Sequence, residues 1–172
     1  AKALNKLYAD PLIRKHYQFW FFAYASGDPV IYSAAMLRKA LKESRRTYDP
    51  EGNNPNFNRM VLIAHSMGGI VSSLMVKNSK DLLADDLLGM PVEKLDITPE
   101  QKTFLLEMLT FERLPFVQRV MFISAPHRGS ELAAYDIVRD ATTFIALPSN
   151  LSNLMANVRK DMLIKMKLKE DA

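Results

Sequence analysis

Ser66 stands at the point where one kind of periodicity gives way to another. Before it, Met60-Val61-Leu62-Ile63-Ala64-His65 is a short apolar, β-branched run suited to a strand buried on both faces. After it, Ile70, Val71, Leu74 and Met75 fall at helical spacing. A strand turning straight into a helix with serine at the corner lifts the hydroxyl clear of the backbone. It also places it beside the free N–H groups of a helix start, where an oxyanion can develop. The chemistry suggested is nucleophilic acyl transfer, with Ser66 attacking and the Met67 backbone N–H receiving the oxyanion. Residues two before and two after such a serine must be small, and Ala64 and Gly68 are, with Gly69 easing the turn further. His65 belongs to the same corner. The simpler alternative is a serine that only caps the helix.

A second segment points the same way. Gln118 to Ile123 is another short strand candidate, and it runs into Ser124-Ala125-Pro126-His127-Arg128-Gly129-Ser130. Pro126 cannot donate to a sheet ladder and Gly129 tolerates unusual dihedrals, so the strand ends in a shaped loop. Together the two segments resemble the nucleophile elbow and following loop of the α/β-hydrolases, in particular bacterial lipase- and esterase-type serine hydrolases. Ala64 departs from the glycine usual in that place. The resemblance takes in Tyr17-Gln18-Phe19-Trp20 and Tyr24-Ala25-Ser26-Gly27-Asp28-Pro29 upstream and extends to about Leu151. It implies a carboxylic ester, of a lipid or another small apolar acyl group, as substrate. It also implies that His127, Arg128 and Gly129 shape the active-site wall.

A serine hydroxyl needs a general base, and the base an orienting carboxylate. In the hydrolases resembled here the chain order is serine, acid, histidine. The histidines are His16, His65 and His127, and none follows position 127. His65 is adjacent to Ser66, and neighbours on a sharp turn project apart. His16 lies before the first strand candidate. His127 is the only one near the corner, and the resemblance gives it a different role. Asp136 and Asp140 are candidate acids, but both lie on a helical pattern. The second oxyanion donor of such enzymes follows a strand upstream of residue 1, a strand that also separates the Tyr17–Ala25 and Val61–Ala64 segments. The expectation is therefore an internal portion of a serine hydrolase, inactive alone, its acid and histidine lying beyond Ala172. The competing reading is a non-catalytic hydrolase-like scaffold that binds a ligand or partner.

The positioning elements can be read along the chain. Residues 3 to about 14 suggest an amphipathic helix interrupted at Pro11, and Tyr17–Ala25 a first strand. Asp28 and Pro29 form a helix start, with Val30, Ala34, Leu37 and Leu41 facing inward to about Arg46. A Pro/Gly/Asn-rich loop spans Asp49–Asn58, and the elbow helix runs to about Asn78. Ser79–Phe116 is an insertion, a possible helical cap or a longer packed connection, with Thr98 and Pro99 opening a helix over Thr103–Leu114. Glu131–Ile145 and Met155–Lys169 are further helical patterns. This alternation predicts one domain over 1–172, a three-layer α/β/α sandwich with a mostly parallel sheet. It is a partial α/β-hydrolase fold, with about three strands readable.

Composition excludes other classes. Hydrophobic residues make up 48% and charged residues 24%, as in ordinary globular domains. The net charge of +4 is spread among nineteen acidic residues, and Arg38, Lys39, Lys42, Arg45 and Arg46 read as a solvated helix face. No stacking-aromatic basic patch suggests nucleic acid. No metal-ligand spacing or phosphate loop calls for a cofactor. The absence of cysteine excludes thiol chemistry and leaves the compartment open between bacterial cytoplasm and cell envelope. No transmembrane stretch or signal segment is visible. The amphipathic, basic Met155–Lys169 could touch a membrane surface, and an unfilled seam in the sheet would invite self-association.

Overall fold

The computed structural model describes residues 2–25, 27–79 and 92–127. The chain opens with two short helices, α1 (Lys2–Ala9) and α2 (Pro11–His16). They separate where expected. The Asp10 carboxylate accepts the Leu12 and Ile13 N–H groups at 2.8 and 3.2 Å, with Pro11 at the first helical position. Helix α3 (Val30–Tyr48) begins one residue later than Asp28/Pro29 suggested, and Pro29 itself is the cap residue. Strand β1 (Met60–His65) leads through Ser66 into α4 (Met67–Ser73), which tightens to a 3-10 turn at Leu74–Val76. Helix α5 (Pro99–Leu109) starts on a full capping box, Thr98 and Gln101 each bonding the other's backbone. Strand β2 (Val117–Ile123) then pairs with β1 in parallel, from Met60 opposite Val117 to His65 opposite Ile123.

The α/β reading holds, with one correction in the sheet. Two strands form among the described residues, not three. Tyr17–Ala25 joins no ladder, and its aromatic rings pack on nearby side chains. Trp20 lies 5.4 Å from Tyr48 and 6.0 Å from Phe57, ring to ring. A strand is a property of a pair, and an apolar, extended-favouring segment stays unladdered without a partner edge.

The core lies on one face of the sheet. Ala34, Leu37 and Leu41 of α3 meet Val71 and Met75 after the corner, with Leu114, Phe116 and Val117 and, from the sheet, Leu62 and Val120. Helix α5 lays Leu105, Met108 and Leu109 into buried positions, and Phe104 meets Tyr32 of α3. Ile63 and its register partner Met121 point away from this core and are exposed. The helical patterns at 131–145 and 155–169, Asp136 and Asp140, and Leu82–Leu88 of the insertion lie outside the described residues.

The basic face of α3 also needs correction. Lys39, Lys42 and Arg46 are exposed, but Arg38 and Arg45 turn inward. Arg45 Nε sits 3.2 Å from Asp49 Oδ2, an ion pair without hydrogen-bond alignment at that oxygen. Its other nitrogens donate to Asn58 Oδ1 at 2.7 Å and the Gly52 carbonyl at 3.0 Å. Asp49 Oδ1 accepts from the Asn54 N–H at 3.0 Å. Gly52 takes a φ of 70°, which suits glycine. This knot folds the α3–β1 loop and fixes where β1 begins. Arg38 donates to the Leu74 carbonyl at 2.8 Å and lies 3.9 Å from the Phe111 ring centre, leaving Nε and Nη1 buried without partners.

Burial pushes the Arg38 guanidinium down to about 10. A base held below its unfolded value binds its proton more weakly when folded. Its burial therefore opposes folding below about pH 10, and that opposition fades as pH rises toward the unfolded value. Arg38→Met is expected to leave stability unchanged or raise it by up to about 2 kcal/mol. Asp49→Ala, which removes the counter-charge of Arg45 and the acceptor of the Asn54 N–H, is expected to cost about 1–3 kcal/mol. Urea unfolding midpoints check both, and a loss from Arg38→Met matching that of Asp49→Ala would contradict this account.

Candidate active site

The corner is built in a single residue. Ser66 has φ 52° and ψ −128°, the mirror image of the extended region, which L-residues avoid at a cost of roughly 1–3 kcal/mol. That conformation lets the chain leave β1 and enter α4 without an intervening loop. Backbone bonds on both sides hold it. The Ser66 N–H donates to the Ile123 carbonyl at 3.0 Å, extending the ladder by one residue, and the Ser66 carbonyl accepts from the Gly69 N–H at 2.9 Å.

Small residues are required where the sequence has them. Ala64 is buried under the corner. A Cβ on Gly69 would run into the Ala125 methyl and press on Phe122 at 3.3 Å. A Cβ on Gly68 would come within 3.2 Å of the Tyr24 hydroxyl. Glycine at 69 thus lets the loop after β2 close against the first turn of α4. Ser66 and His65 are exposed at the end of the sheet.

The capping alternative does not hold. Ser66 occupies the cap position of α4, yet its side chain makes no capping bond, and its φ is not that of an ordinary cap. The hydroxyl has no hydrogen-bond partner among the described residues. Met67 stands at the first helical position, where the N–H has no intrahelical acceptor.

The other loop reaches the same place. Ser124 is the second non-glycine residue with positive φ among those described, at 50°, and it turns the chain so that Ala125 covers Gly69. The His127 N–H donates to the Ala125 carbonyl at 3.0 Å, and its ring stands edge-on to Phe122 with centres 4.4 Å apart. Both His127 and Phe122 are exposed. The structure thus brings Ala64, His65, Ser66, Met67, Gly68, Gly69 and the backbone before His127 to one end of the sheet. Arg128 and Gly129 lie outside the described residues. No hydrogen bond joins the Ser66 hydroxyl to a described residue, and His16 is exposed in the last turn of α2. No group of metal-ligating side chains occurs among the described residues, nor does any described helix have the length and apolarity to cross a membrane.

Sequence reasoning missed two participants. Tyr24 puts its phenol against Gly68, and no spacing rule in the sequence foretells that contact. Ser124 carries the second strained turn, for which a strand ending in Ser-Ala-Pro was the available signal.

Residues 21–92 match the profile of a family described as PGAP1-like alpha/beta domain. The matched span includes Tyr24, α3, β1, the serine corner and α4. No curated protein and no solved structure matches the chain. The family match, the strand–serine–helix corner and the parallel β1–β2 pairing agree on a partial α/β-hydrolase-like fold.

Two substitutions test this geometry. Ser66→Gly, which relieves the positive φ, is expected to match or exceed the stability of the unaltered chain by up to about 1 kcal/mol. Gly69→Ala is expected to cost about 1–3 kcal/mol, most of it recovered by adding Ala125→Gly. Denaturant unfolding of the single and double variants reads both, and failure of the second change to restore stability would show that Ala125 is not the obstacle.

Proposed function

We propose that Ser66 is the nucleophile of a serine hydrolase acting on carboxylic esters, with an apolar or lipid acyl group as substrate. The observation that carries this reading is a serine hydroxyl, exposed and without a partner among the described residues, at a strained one-residue corner between strand and helix. In the proposed reaction Ser66 Oγ attacks the ester carbonyl carbon and its proton passes to a base. The Met67 N–H stabilises the oxyanion, and the alcohol departs with that proton, leaving an acyl-serine. Water then attacks the acyl group, the base takes the water's proton, and the acid is released as the serine regains its hydrogen. Gly68 and Gly69 permit the turn, while Ala64, His65, His127, Arg128 and Gly129 shape the surrounding wall.

The base and its carboxylate are, in this reading, supplied by residues other than these 172, since His127 stands against Phe122 and no described histidine bonds Ser66. A hydrolase-like scaffold that binds without turnover is the second reading, favoured by the same unpartnered hydroxyl. Among the described residues neither β1 nor β2 has a second strand partner, which supports self-association of these residues in isolation.

Expressed from its complete reading frame, the protein is expected to hydrolyse p-nitrophenyl butyrate, with Ser66→Ala lowering kcat/KM by at least about 10³-fold. Equal rates in the two would overturn the assignment. Residues 1–172 alone are expected to turn over no faster than their Ser66→Ala variant. Ser66-dependent turnover there would place the base within these residues, and His127→Ala would show whether it is that histidine.

A further inference from the structure

The surface of the first helices and the segment after them is apolar in a way the rest of the chain does not explain. Tyr8 is 53% exposed, Leu12 71%, Tyr17 57% and Phe21 67%. Tyr8, Tyr17, Phe19 and Phe21 gather with Arg14 and Gln18 around an open cleft of about 510 Å³. The Tyr8 and Phe19 rings are 5.3 Å apart and tilted, so the cleft has an aromatic floor. Contiguous exposed apolar surface of this kind marks a contact site.

The charges around it have one sign. Lys6, Arg14, Lys15 and His16 are exposed on α1 and α2. None of Lys6, Arg14 and Lys15 forms an ion pair among the described residues; the pairs there are Arg45–Asp49 and Arg46–Glu43. Asp10 is the single acidic residue between positions 2 and 25, and its carboxylate is spent on the α2 N-terminus. A partner covering this patch must supply apolar groups to the rings and negative charge to the cations beside them. An anionic bilayer brings both: acyl boundary for the rings and phosphate oxygens for the ammonium and guanidinium groups. Amphipathic rings at the headgroup level with Lys and Arg beside them are the usual composition of an interfacial contact.

We propose that α1, α2 and the Tyr17–Phe22 segment form a docking surface for an anionic lipid bilayer. Tyr8, Tyr17 and Phe21 enter the headgroup–acyl boundary, and Lys6, Arg14 and Lys15 face the lipid phosphates. The surface is independent of the chemistry proposed for Ser66, and its test reads no turnover.

Trp20, the one tryptophan in the sequence, lies within this segment and serves as energy donor to a dansyl-labelled headgroup. The assay compares phosphatidylcholine vesicles with vesicles also containing about 30 mol% phosphatidylglycerol, confirmed by co-sedimentation. Binding is expected to be at least about 10-fold tighter on the anionic vesicles and to weaken with added salt. Arg14→Glu/Lys15→Glu and Tyr17→Ser/Phe21→Ser are each expected to weaken it by about 10-fold or more. Lys39→Glu/Lys42→Glu on the exposed side of α3 changes net charge equally and is expected to bind as the unaltered chain does. Circular dichroism and urea midpoints confirm that each variant is folded. No binding to anionic vesicles, binding that survives either surface pair, or equal weakening by the α3 pair would overturn the proposal.

Discussion

The fold hangs on one unfavourable dihedral. At Ser66 the chain must reverse from a strand into a helix within a residue, and it does so at φ 52°. A conformation that costs roughly 1–3 kcal/mol persists only where its surroundings over-determine it. Here the Ile123 carbonyl takes the Ser66 N–H, the Gly69 N–H takes its carbonyl, and the β1–β2 ladder fixes the strand that feeds it. The contact of Ala125 with Gly69 closes the loop after β2 over the same turn. All of these but the local Gly69 bond depend on β2 lying beside β1 in register. The parallel pairing, formed late along the chain, is therefore what allows the corner to exist.

The opposite end of β1 is fixed by a different interaction. Arg45, one turn from the end of α3, gathers Asp49, Gly52 and Asn58 into a knot beneath Phe57 and Phe116. Its charge is matched and its donors are used, so its partial burial favours a defined loop geometry. Arg38, two turns earlier on the same helix face, is matched by a carbonyl and an aromatic face alone. The two arginines show how one basic helix face can hold both a satisfied and an unsatisfied cation. Burial without a partner opposes stability, while burial within a network specifies structure.

The sequence made local features legible and left pairwise ones obscure. The change from apolar run to helical spacing at Ser66 located β1, the corner and the start of α4 to within a residue or two, whereas α4 ends at Ser73, short of Asn78. Thr98–Pro99 announced a helix start because capping is short-range chemistry written in adjacent residues, and the break expected at Pro11 falls at the Asp10 cap. The Ala34–Leu37–Leu41 stripe was legible for the same reason. Arg38 and Arg45 were misread because charge was weighed above spacing, which sets both on the same helix face as Ala34, Leu37 and Leu41. Tyr17–Ala25 was misread because aromatic content indicates compatibility with a ladder, and the ladder needs a second edge. The Tyr24–Gly68 contact joins residues far apart in sequence and had no signature at all.

The identity of the residue at the corner carries the strongest functional argument. If the turn were purely structural, glycine would adopt its dihedrals at little cost and serine would be a disadvantage. If serine served the helix, its hydroxyl would accept an N–H from the first turn, and it does not. Neither local propensity nor capping explains serine at φ 52°, and the exposed hydroxyl at the end of the sheet is what remains. Local preference loses to the surrounding structure at Ser66 as it does at Ser124, and such places are functional or strained. The small residues at 64, 68 and 69 support that conclusion from the other side, since they make room for the turn and contribute no chemistry of their own. Strain, a hydroxyl without a bonding partner among the described residues, and cleared space are the features on which the nucleophile proposed at position 66 rests.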